Sequence, residues 1–237
     1  MTESAVIERL QQLYQALDAQ GKILSKAKLE GYYRTFRNRF GPDKLASLDG
    51  EALLNEMHNF SSLDSLNYWL EFKNEDDFPS IFGGIAGGSS LKFGIYKRKE
   101  TGVWMTGSPQ KQIEISVEEA VKIARNQRDQ LIAGAEVLSH LTSDVSDENY
   151  AFLQREMDHA VPDLSNTGWA HKYFSLLFPD KLDDYHNPDY QRYHLVKLLQ
   201  TPPDLDGRYV CAGRFIVLAR ELNYPVNTLS QVLNELH

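Results

Sequence analysis

A single cysteine, Cys211, stands in 237 residues. That excludes a disulfide framework and a cysteine-built zinc site, and the expected setting is a reducing cytoplasm. No apolar run approaches the roughly 18 residues that span a bilayer. The N-terminus, MTESAVIERL, carries acids where a signal peptide carries a basic flank. Two nucleotide signatures are also missing. Gly83 and Gly88 have phosphate-loop spacing, but Ser89-Ser90 stand where the lysine and hydroxyl residue are required. The G-x-G-x-x-G fingerprint does not occur, so nucleotide hydrolysis is not expected. There is no internal repeat and no low-complexity tract.

What is present is charge, unevenly distributed. The net charge is −8. Lys22–Lys44 nevertheless holds seven Lys/Arg against two acids, and residues 92–99 hold four cations and no acid. Leu141–Tyr190, in contrast, has ten Asp/Glu and three Lys/Arg. Such asymmetry implies two faces with different partners, or one face binding the other.

Apolar periodicity predicts an α+β fold, with a small antiparallel sheet flanked by helices and followed by an all-helical half. Helices are expected over 3–19 and 26–40, and from the N-cap Asp49 to about 58. Asn67–Lys73 reads as a strand or as the last turn of a helix. Period-two alternation from 92 to 99 and two further strands, Val103–Thr106 and Lys111–Ile115, give the sheet. Ser116 and Glu119 form a capping-box pair opening a helix to about 139. Further helices are expected over 148–159, 169–178, 189–200, 214–223 and 227–236. The polar segment 142–148 is the expected boundary between an α+β domain, 1–141, and a helical domain or subdomain, 142–237.

The most informative stretch is Ile81–Trp104, where four glycines crowd into Gly83–Gly88 beside Lys92, Lys97, Arg98 and Lys99. Glycine permits close backbone approach and positive φ. The cations suit phosphates, and Tyr96 and Trp104 suit stacking on a base. The structural alternative makes Tyr96 and Trp104 half-buried cross-strand partners and the cations a solvated hairpin tip. Arg34, Arg37 and Arg39 flank an aromatic helix stripe and would extend a DNA footprint, or rim a core-facing helix. These nine residues are the candidate nucleic-acid contacts, and no metal, cofactor or catalytic group is expected among them. Two carboxylate sets stand beside them. Asp64 with Glu71 and Lys73 has the pattern of a Mg²⁺-dependent nuclease, provided the Glu-x-Lys lies on a strand. Asp180, Asp183, Asp184, His186, Asp189 and His194 offer oxygen and imidazole donors, or an acidic surface with helix-start carboxylates. Cys211 is expected to be a small buried residue.

The run Tyr68-Trp69-Leu70-Glu71-Phe72, together with the Gly83–Tyr96 glycine stretch, resembles a segment ahead of the motor in McrB-type AAA+ modification-dependent restriction proteins. Trp169-Ala170-His171-Lys172-Tyr173-Phe174, Phe178–Lys181 and Tyr190–His194 are similar to the region downstream of that segment in the same family. The resemblance implies a non-catalytic DNA-recognition module of an antiviral restriction system, since such regions recognise DNA, often at modified bases. Its partners would be an AAA+ motor and a nuclease subunit. This chain has no Walker lysine loop and hence no motor of its own. Two alternatives are a protein-interaction module docking such a motor or nuclease, and the Asp64/Glu71/Lys73 nuclease.

Overall fold

The computed structural model describes residues 3–73, 81–85 and 90–236. Within them the chain forms α1 (Glu3–Ala19), α2 (Lys26–Phe40), α3 (Pro42–Ala46), α4 (Gly50–His58) and α5 (Leu66–Glu71). A 3₁₀ turn, Ser90–Phe93, leads into β1 (Ile95–Lys97), β2 (Trp104–Ser108) and β3 (Lys111–Ile115). Six helices complete the chain: α6 (Val117–His140), α7 (Asp147–Ala160), α8 (Gly168–Leu177), α9 (Pro188–Lys197), α10 (Ala212–Leu222) and α11 (Val226–Asn234). The fold is α+β, with a small antiparallel sheet ordered β1-β2-β3 set among helices. Gly87, Gly88 and Ser89 of the glycine stretch lie outside the described residues.

Local chemistry explains most element ends. The Asp49 carboxylate accepts from the Gly50 N–H at the start of α4. Ser116 and Glu119 make both halves of the capping box at α6, and Pro188 occupies the first turn of α9. Of the two readings of 67–73 the helix stands: Leu66–Glu71 is α-helical, and Ser65 caps it by accepting from Tyr68 N. One expectation changes. The expected 92–99 strand shortens to Ile95–Lys97, because Leu91 and Phe93 bury their side chains from a 3₁₀ turn.

The aromatic stripe of α2 faces inward. Phe36 and Phe40 are fully buried and meet Trp69, Phe82 and Tyr173 at ring distances of 5.2–6.4 Å. Burying each such side chain contributes about 1.5–3 kcal/mol. The Tyr173 hydroxyl donates to the Phe40 carbonyl at 2.8 Å, so α8 closes over α2. A second cluster joins α1, through Val6, Leu10 and Leu17, to Leu195, Phe215, Leu229 and Leu233 near the other end of the chain. Tyr14 stacks on Tyr224 there, with centroids 4.4 Å apart. Packing across residue 141 is therefore continuous in both clusters.

Candidate functional site

Pairing of β1 with β2 sets Lys97 opposite Trp104 and Tyr96 opposite Met105. Because side chains alternate along a strand, Ile95, Lys97, Trp104 and Ile115 share one sheet face. Trp104 is buried there at 5 % exposure and is not free to stack on a base. Lys97 is exposed, with its ammonium 5.9 Å from the Trp104 ring centre. On the other face the Tyr96 hydroxyl donates to Gln112 at 2.8 Å, and Arg98 pairs with Glu114 at 3.6 Å. Lys99 is exposed in the turn.

Lys92 does not join this surface. Its ammonium turns back to Glu71 Oε1 at 2.5 Å and the Ile85 carbonyl at 2.7 Å. Glu71 is 7 % exposed, and a buried carboxylate requires such a counter-charge. On α2, Arg37 pairs with Glu30. Arg39 donates to the Asp64 carbonyl at 2.9 and 3.1 Å and lies 3.6 Å from Glu56. Arg34 is exposed. Of the nine expected contacts, Lys97, Lys99 and Arg34 remain exposed without an ion pair among the described residues. Nearby acids pair with the other candidate cations, which leaves Lys97 and Lys99 as a short hairpin patch and Arg34 on α2.

The nuclease pattern also disperses. Glu71 ends a helix and is held by Lys92, the Lys73 ammonium lies 4.5 Å from the Trp69 ring centre, and Asp64 is exposed. Among the described residues no group of three His, Cys, Asp or Glu side chains is arranged to hold a metal. Cys211 is buried, as expected.

The acidic and imidazole set separates into distinct environments. Asp180 and Asp189 are exposed, whereas Asp183 is fully buried and accepts from Tyr185 N and Gln191 Nε2, both at 2.8 Å. Burial pushes its carboxyl up to about 8. His194 stacks on Tyr185 with ring centres 4.3 Å apart. Asp184 and His186 instead reach a polar pocket of about 270 Å³, between the glycine segment, α8 and α11.

That pocket brings together residues distant in sequence. Gly84, at φ +105, bends the chain at its rim in a conformation that only glycine adopts without strain. Lys172 is buried at 6 % exposure and donates to the Gly83 carbonyl at 2.5 Å. Burial draws its ammonium down to about 8, opposed by the nearby Asp184 carboxylate. The Asp184 carboxyl is raised by burial, opposed by Lys172 and by a 2.9 Å hydrogen bond from Asn227. Gln231 donates in turn to Asn227 at 3.2 Å. The ring nitrogens Nδ1 of His171 and His186 lie 3.0 Å apart, so one donates and the other accepts. Burial holds His171 down near 3 and His186 well below the usual imidazole range, so both are neutral at pH 7.

The sequence pattern places Asp184 and His186 in a different grouping and does not single out Lys172, Asn227, Gln231 or Asn234. The signal that could have found the last three is helical spacing: Asn227, Gln231 and Asn234 share one side of α11. Comparison with family models, characterised proteins and solved structures finds no match.

Proposed function

We propose that this chain is a non-catalytic DNA-recognition module of a restriction-type antiviral defence system. It would act in the cytoplasm with an AAA+ motor and a nuclease subunit, as the resemblance to McrB-type proteins implies. The observation that carries the reading is the pair of exposed lysines, Lys97 and Lys99, without an ion pair among the described residues, on a hairpin anchored by buried Ile95 and Trp104. Both side chains are exposed to solvent, where each phosphate contact would release counterions on binding. Such contacts position a duplex or strand without reading its sequence. The test is titration of labelled single-stranded and duplex DNA at low and moderate salt. Binding should weaken with salt, and Lys97→Glu with Lys99→Glu should reduce affinity at least about tenfold at low salt. No binding of either form at low salt would remove the proposal.

A second reading, docking of a protein partner, is favoured by α9. Its outer side exposes Tyr190 (61 %), Tyr193 (57 %) and Val196 (58 %), with Leu199 (56 %) just beyond the helix. Aromatic and aliphatic side chains grouped this way are typical of interaction surfaces. Tyr193→Ser with Val196→Ser would leave DNA binding unchanged and abolish capture of the motor or nuclease subunit. Retained capture by the double variant would sink this reading.

A further inference from the structure

The pocket beside Gly83 and Gly84 has no part in the phosphate contacts of the hairpin, yet it is built from converging polar groups. Its chemistry excludes several ligand classes. The Asp184 carboxylate in the wall opposes a free phosphate or carboxylate, and the Lys172 ammonium opposes a simple cation. Asp184 and His186 alone, beside an ammonium, do not form a metal site. A wholly apolar ligand would cover these charges without satisfying them. The two charges compensate each other, so the site suits a neutral ligand that both donates and accepts hydrogen bonds.

The wall presents such groups in alternation. Asp184 Oδ2 is engaged by Asn227, while Oδ1 has no hydrogen-bond partner among the described residues. Gln231 uses its amide nitrogen on Asn227, which leaves its carbonyl oxygen as an acceptor. The Tyr185 hydroxyl shares its proton between the Ser230 carbonyl at 3.2 Å and the Asn234 oxygen at 3.3 Å, which leaves the Asn234 amide nitrogen as a donor. Lys172 spends one proton on Gly83 and has others to give. Ile81 and Leu176 supply apolar lining for a flat face. At about 270 Å³ the cavity is just below the roughly 300–1,000 Å³ of pockets for drug-sized ligands. A single heterocycle matches that size.

We propose that this pocket binds the hydrogen-bonding edge of one nucleobase, with Asp184 and Gln231 accepting from its amino or imino groups and Lys172 and Asn234 donating to its carbonyl or ring nitrogen. The base comes either from a free nucleoside or from a strand in which it is unstacked. In the second case the proposal rests on the DNA-recognition reading and gives that reading its base contact.

The test uses the full chain in two arms. In the first, cytidine, thymidine, adenosine and guanosine are titrated and followed by calorimetry and by saturation-transfer NMR. In the second, a short single strand is compared with the same strand carrying one abasic site in each position in turn. Asp184→Asn and Gln231→Ala are measured alongside, with thermal melts to verify folding. Gln231→Ala is the milder change if Asp184→Asn fails to fold. Nucleoside binding weakened about tenfold by either variant supports the pocket and a free ligand. A strand weakened comparably by an abasic site, with the loss absent in the variants, supports the pocket and a DNA source. Salt-dependent strand binding indifferent to abasic sites, with no nucleoside binding, overturns the pocket while leaving the hairpin proposal intact. Nucleoside binding by a protein that ignores DNA does the reverse.

Discussion

The Lys172 ammonium is hydrogen-bonded to the Gly83 carbonyl at 2.5 Å, tying α8 to a glycine segment 89 positions earlier. Two residues on, the Ile85 carbonyl receives Lys92 at 2.7 Å. The glycine segment is thus pinned by two lysines, one from the sheet side and one from the helical half.

Lys172→Met should therefore destabilise the fold by about 2–3 kcal/mol, because it removes a charged buried donor and leaves Asp184 without its nearest cation. Urea denaturation measures this. Adding Asp184→Asn should recover part of the loss, since it removes the uncompensated carboxylate. A single variant as stable as the parent would contradict the pinning.

Lys92 and Lys97 should separate stability from binding. Lys92→Ala strands the buried Glu71 carboxylate and should cost about 2 kcal/mol or more of stability. Lys97→Ala lies on the surface and should stay within about 0.5 kcal/mol of the parent. If the hairpin binds DNA, Lys97→Ala should lower the slope of log affinity against log salt by about 0.9. A reversed pattern in these melts and titrations would mean that the two side chains have exchanged roles.

Acid should destabilise the protein through histidines held neutral inside it. Burial lowers His58 and His171 to about 3 and His194 to about 4, all below the usual value of 6.5. Between those values the unfolded chain binds more protons, so their contribution is complete above pH 6.5 and is lost toward pH 4. Asp183 acts the opposite way. Its carboxyl is raised from 3.8 to about 8, so its contribution is present at low pH and fades as pH rises through 8. Burial also raises Asp184 and lowers His186, and the four histidines outweigh the two carboxyls below pH 6.5. Urea midpoints at pH 7, 5.5 and 4.5 should fall in that order, and a level series would refute the neutral histidines.

Gly134 marks a close approach of α6 to α8. A methyl group there would lie inside contact distance of the Phe174 ring and Val161. Gly134→Ala would gain helix propensity on a surface, but here overpacking of about 1–3 kcal/mol should dominate. Thermal melting decides the sign, and an unchanged or higher midpoint would show that α8 yields freely.

The elements with strong local signals were legible in the sequence. Val6, Leu10 and Leu17 marked α1, and Ser116 with Glu119 marked the start of α6. Leu66–Glu71 was ambiguous because six residues are too few to distinguish helical from strand periodicity. The pairing of the candidate cations was illegible for another reason. A row of cations in sequence does not reveal which acids will lie beside them, and Glu71, Glu30 and Glu114 each claimed one. The pocket was illegible because its walls come from residues 83–84, 172, 184–186 and 227–234, which only tertiary packing brings together.

The pairing of α1 with α10 and α11 has a consequence during synthesis. The apolar stripe of Val6, Leu10 and Leu17 leaves the ribosome well ahead of its cover, Phe215, Leu229 and Leu233. At 5–20 residues per second, that interval is on the order of 10–40 s. Throughout it α1 is a greasy, unclosed surface, which makes it the natural foothold for a chaperone.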